Sequence, residues 1–136
     1  MSEHVRARER WLVDGMNVIG SRPDGWWRDR DRAMEGLARR LDRFARESGQ
    51  VVVVVFDSRP RHPLDLDAVE VLFARSGGRD AADDEIARIV GADPDPASLR
   101  VVTSDSDLAK RVEARGATVF GAGSFRRRLE RDAAGD

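Results

Sequence analysis

Aspartates stand at the ends of three apolar runs. Trp11-Leu12-Val13 leads into Asp14, with Asn17 three residues further on. Val51 to Phe56 leads into Asp57, and Leu99 to Thr103 leads into Ser104, Asp105, Ser106 and Asp107. A further group, Asp80, Asp83 and Asp84, opens a helical pattern in which Asp80 and Asp84 share a face. Carboxylates brought together repel one another unless they are protonated or share a cation. The chain has no cysteine, and of its two histidines His62 reads as an ordinary loop residue rather than a ligand or acid. The cation expected is therefore hard and oxygen-seeking, magnesium or manganese. Such an ion holds a phosphate, activates a water and offsets charge developing on phosphorus, which is the chemistry of phosphodiester hydrolysis. One ion is enough for this, and two would need a bridging carboxylate. Capping is the competing reading for part of the Asp80–Asp84 group, because acids at a helix start suit its dipole.

The elements that must position these acids follow from periodicity. Residues 11–13 read as a short buried strand, with a turn through Gly15. Pro23, Gly25, Trp26 and Trp27 form a connector whose aromatic pair either packs locally, the preferred reading, or covers the crevice and meets a base. Arg28 to Glu47 reads as a helix, since Met34, Leu37, Ala38, Leu41, Phe44 and Ala45 form one stripe. Gly49 stops it. Val51 to Phe56 is continuously apolar, as in a strand covered on both faces. Residues 69–74 predict a third strand, an edge one because a charge interrupts it. Ala81 to Val90 is the next helix, and Leu99 to Thr103 the next strand. A helix from Asp105 or Ser106, a short strand at 117–120 and a final helix at 125–131 complete the chain. This alternation predicts a three-layer α/β fold with a mostly parallel sheet, whose polar strand ends meet in one crevice.

Composition bounds the partners. With 136 residues, 40% hydrophobic and 36% charged, the chain fits one solvated domain. We expect a flexible start at residues 1–10, one domain at 11–131 and a short tail at 132–136. No apolar run approaches the roughly 20 residues of a membrane span. The first residues lack a signal-peptide core. Together with the missing cysteines this is compatible with the cytoplasm. The formal charge of −1 sets 24 basic against 25 acidic residues, and every basic residue except Lys110 is arginine. Arginine forks suit phosphate oxygens, so acids around a metal and an arginine rim would cancel in the sum.

Four motifs carry a resemblance: Val13-Asp14-Gly15-Met16-Asn17-Val18-Ile19, Val55-Phe56-Asp57, Gly78-Arg79-Asp80-Ala81-Ala82-Asp83-Asp84-Glu85-Ile86, and Val102-Thr103-Ser104-Asp105-Ser106-Asp107-Leu108. In this order the chain resembles the YacP-like branch of the NYN domain family, within the PIN-like nucleases. The resemblance implies a PIN-like three-layer sandwich, with about four to five strands, that cuts single-stranded RNA using Mg2+ or Mn2+. It implies Asp14 as the central metal carboxylate with Asn17 as its polar helper. Asp83 and Asp84 match the acidic helix start, with Asp84 preferred, and Asp105 matches the third acid. Ser104 and Asp107 would support metal-bound water or the loop. Arg59, Arg61 and Arg79 would line the rim and hold the RNA backbone. Asp57 has no assigned role. The segment between Asp57 and Asp80 is shorter than in YacP-like domains, which reduces loop material for substrate contact. Messenger RNA cleavage on the ribosome, proposed within the branch, makes the ribosome a candidate partner, and an edge strand makes a homodimer another.

Rival classes are weaker. An aspartyl-phosphate phosphatase would need a second aspartate at the position of Met16, and a P-loop would need a lysine before Ser or Thr in a glycine-rich loop. A non-catalytic RNA-binding or regulatory module is the alternative. It would keep the arginine rim but need not keep the acids.

Overall fold

The structure is a computed structural model that describes residues 9–75, 78 and 80–134. Five strands form one sheet: β1 (Arg10–Asp14), β2 (Val51–Phe56), β3 (Glu70–Phe73), β4 (Leu99–Val102) and β5 (Thr118–Phe120). Their order is β3-β2-β1-β4-β5, and every pairing is parallel. The expected edge strand is β3.

Helices cover both faces. On one side lie α1 (Gly15–Gly20), α2 (Arg30–Ser48) and α5 (Ala122–Ala134), and on the other α3 (Ala81–Ala92) and α4 (Ser106–Glu113). Handedness explains the division. Steps from β1 to β2 and from β4 to β5 run in opposite directions across the sheet, so right-handed crossovers place their helices on opposite faces. The strand period of two then splits the core. Trp11, Val13, Val52, Val54 and Phe56 pack under α2 and α5, whereas Leu12, Val55 and Val101 face α3 and α4. Trp11 is the centre of the first half, with ring centroids of Phe44, Phe120 and Phe125 at 5.9, 5.6 and 5.0 Å.

Two segments differ from the sequence expectation. The stretch after Asp14 is a six-residue helix rather than a turn. Gly15 makes this helix fit, because a Cβ there would stand 2.5 Å from Phe56 Cε1 and 3.0 Å from Val54 Cγ2. The last helix runs from Ala122 to Ala134, well past the 125–131 expected, and Ser104 Oγ accepts the Ala122 N–H at 2.9 Å where it begins.

One buried acid escapes the sequence pattern. Asp42 interrupts the apolar stripe of α2, and its Oδ1 accepts the N–H groups of Asp67, Ala68 and Val69 at 3.1, 2.6 and 3.0 Å. Arg46 stands 3.3 Å from its other oxygen. This clamp fixes the chain as it enters β3, where no helix or sheet partner is available to those N–H groups. Burial alone would raise the Asp42 pKa, but the three N–H groups and Arg46 outweigh it and hold it below the ordinary carboxylate value. A carboxyl whose folded pKa is depressed contributes stability above its unfolded pKa and loses it as pH falls through the folded value. Asp42→Ala leaves the N–H groups unpaired and should cost about 2–3 kcal/mol at pH 7. The deficit should shrink when denaturant unfolding is repeated in acid, below the ordinary carboxylate pKa.

Candidate active site

Because all strands are parallel, their carboxyl ends share one edge of the sheet. From β1 the chain steps to β2 on one side, and later returns to β4 on the other side of β1. The connections therefore diverge between β1 and β4, which opens a crevice at that point. Asp14 ends β1 there, and Thr103, Ser104 and Asp105 follow β4.

Hydrogen bonds sew the two strand ends together. Thr103 Oγ1 donates to Asp14 Oδ2 at 3.0 Å and accepts the Asp105 N–H at 3.1 Å. Asn17 Oδ1 accepts the Ser104 N–H at 2.7 Å. Asp105 Oδ1 caps α4 by accepting the Leu108 N–H at 3.0 Å. Asn17, expected as a polar helper of Asp14, and Ser104, expected to support metal-bound water or the loop, each spend a side-chain oxygen on holding the β4–α4 loop and the start of α5. Thr103 is the residue that sequence reading missed.

Asp14 is only 4% exposed. Its pKa is pushed up to about 6, first by burial and then by the charges of Asp83 and Asp105, while the Thr103 hydroxyl and the nearby Asn17 N–H oppose the shift. Asp83 is raised too, by burial first, then by Asp105, Asp80 and Asp84, with Arg111 relieving it. Asp14, Asp83 and Asp105 consequently face one another electrostatically. Asp84 turns outward: its side chain is 70% exposed and bridges Arg111 at 3.1 Å. Asp83 rather than Asp84 is therefore the acid of this pair that stands toward Asp105, since adjacent helical residues point about 100° apart.

The other candidates are spread around the edge. Asp80 sits at the N-cap of α3, and Asp107 on the exposed first turn of α4. Asp57 accepts from Arg30 Nη2 at 2.8 and 2.9 Å, which ties the start of α2 to the end of β2. The Arg59 guanidinium lies 4.6 Å from the centroid of the Phe73 ring. Arg61 is bonded to Asp31 at 3.0 Å rather than to the crevice, and His62 is exposed. Arg79 lies outside the described residues. The tryptophan pair divides, with Trp26 packed on the core and Trp27 56% exposed.

The donor set suits a hard cation, since carboxylate oxygens dominate it and a cation would remove their mutual repulsion. Among the described residues, however, no three acidic or imidazole side chains already enclose an ion-sized space. The acids feel each other's charge without converging on a common point.

The family model described as the YacP-like NYN domain matches residues 11–135. Two crystal structures of Rae1 (YacP) from Bacillus subtilis are similar in fold. A tryptophan-to-leucine variant is 28% identical with a TM-score of 0.72, over 90% of this chain and 75% of that one. A second structure of the same protein is 27% identical with a TM-score of 0.72, over 89% and 73%. No protein of curated function matches the chain.

A carboxyl whose folded pKa lies above its unfolded value is least costly while protonated. Asp14 should therefore remove stability as pH rises from about 4 to about 6, and the loss should persist above that. Its ceiling is about 3 kcal/mol. Unfolding measured in chelator should show Asp14→Asn gaining on the parent protein across this window, and a constant difference would contradict the burial of a charged group here.

Proposed function

The chain belongs to the YacP-like NYN domain family, with a nuclease-like fold related to PIN domains, and on that premise we propose that it is a divalent-metal-dependent endoribonuclease acting on single-stranded RNA. The observation that carries this reading is the buried Asp14 at the switch point of the sheet, faced by Asp83 and Asp105. A structural domain gains nothing from a buried carboxylate set beside two further acids, whereas a cation site needs them.

Mg2+ or Mn2+ would be held by Asp14, Asp83 and Asp105, and would supply Lewis acidity toward a phosphodiester and a water. The protein's own groups set the stage for that chemistry. Thr103 holds Asp14 by one oxygen, Oδ2. Asp105 likewise gives Oδ1 to the helix cap and keeps its second oxygen. Asn17 fixes the backbone of Ser104, so the loop that carries Asp105 keeps its distance from β1. Asp80 and Asp84 contribute negative potential, and Arg111 moderates it from α4. Backbone contacts by surface arginines would give affinity with little sequence preference.

The rival is an RNA-binding module without chemistry. It is favoured by one observation, that the acids do not already enclose an ion among the described residues. Cleavage of a single-stranded RNA oligonucleotide with magnesium, manganese or chelator separates the two readings. Metal-dependent cutting should appear, with Asp14→Asn and Asp83→Asn each reducing the rate about 100-fold or more. Asp84→Asn should have a much smaller effect. Thr103→Val should reduce the rate about 10–100-fold, as expected for a group that orients a ligand. RNA binding without cutting in either metal would establish the binding module instead.

A further inference from the structure

The layer formed by α1, α2 and α5 carries a long groove that the acidic crevice does not include. It consists of two joined cavities, about 580 and 630 Å3, that share Arg39, Arg40 and Leu129. One end reaches Val18 and Ile19 on α1, and the other reaches Arg131 on α5. Since α1 is a six-residue helix, about 9 Å long, its Asn17 at the crevice and its Ile19 in the groove are close neighbours. The groove therefore starts directly behind the crevice.

Its lining is rich in arginine, and of its acids only Asp132, at the α5 end, has no hydrogen bond or ion pair among the described residues, while Asp24 accepts the Trp26 N–H. Asp29 accepts the Arg32 N–H at 3.2 Å, Glu35 pairs with Arg39 at 3.1 Å, and Glu47 pairs with Arg43 at 3.1 Å. Arg32, Arg40, Arg128 and Arg131 have no carboxylate partner among the described residues. Arg128 is also held in place: its guanidinium lies 5.5 Å from the Trp11 ring centroid and 5.3 Å from that of Phe44. Guanidinium groups that outnumber the carboxylates along a channel suit a row of phosphates. A compact anion would use one or two of them, and an extended polyanion can use the series.

We propose that the α2–α5 groove binds the sugar–phosphate backbone of the RNA strand that leads away from the acidic crevice. The choice of RNA rests on the endoribonuclease reading, while the groove can be tested without any cleavage. Binding of labelled single-stranded RNA is measured in chelator, using a short oligonucleotide of about 5 nucleotides and versions lengthened at either end to about 15. Lengthening at one end should tighten binding about tenfold. The double variant Arg40→Glu/Arg131→Glu should erase that gain and leave the short RNA within about twofold. It should also lower the salt dependence of long-RNA binding by about 1.4 in log–log slope, the equivalent of two phosphate contacts. Arg115→Glu, a single charge reversal in the exposed turn after α4, should retain the gain. Thermal melts verify that the variants fold, and Arg40→Gln/Arg131→Gln replaces the charge reversal if it does not. A gain that survives either double variant, or no gain at either end, overturns the groove assignment. Cleavage of the short RNA in metal tests the catalytic reading separately, so a length-dependent gain without cutting would support the groove while removing the nuclease.

Discussion

The hydrogen bond from Thr103 to Asp14 is the contact on which the site depends. It joins the ends of β1 and β4, the two strands between which the connections diverge. It also orients a carboxylate that burial makes costly to ionise. Without a hydroxyl there, Asp14 would have to turn toward water or keep its proton. With it, one oxygen is satisfied inside the fold. The Asp105 N–H, bonded to the same hydroxyl, sets where the second acid stands.

The site is thus costly to the fold, and the surrounding structure offsets it. The strand ends next to Asp14 are fully buried: Val13, Val54, Val55, Val101 and Val102 are all 0% exposed. Rigid packing of this kind holds strand ends in place even when their charges repel. Arg10 secures the opposite end of β1 through a two-pronged pair with Asp93 at 2.7 and 2.9 Å. Gly15 lets α1 begin against Phe56 immediately after the acid. Repulsion concentrates at one edge, and the packed valines beneath hold that edge in place.

The near-zero net charge conceals a division of surface. Acids gather where β1, α3 and α4 meet, and arginines with no acidic partner line the opposite helical layer. A uniform mixture of the same residues would give the same total and no such field. The two regions adjoin through α1, so a polyanion leaving the acidic edge would enter the basic groove.

Much of this architecture is legible in the order of residues alone. The alternation of continuous apolar runs with stripes at helical spacing determined a parallel three-layer fold, because local sterics and burial set those periods. Asp14, the Asp83–Asp84 pair and Asp105 stand out as strand-end and helix-start acids for the same reason. Three things required tertiary structure. Thr103 reads in sequence as one more strand residue, and it becomes a partner of Asp14 only because Val13 pairs with Val102. The choice between Asp83 and Asp84 depends on the rotation of α3 about its axis, which packing of Ile86 and Val90 fixes and spacing does not. Asp42 looks like an error in the stripe of α2 until the chain entering β3 brings it three N–H groups. Periodicity is a property of neighbours in the chain, so it determined elements and their faces. Pairing across the fold is a property of how those faces meet, and only the folded chain decided it.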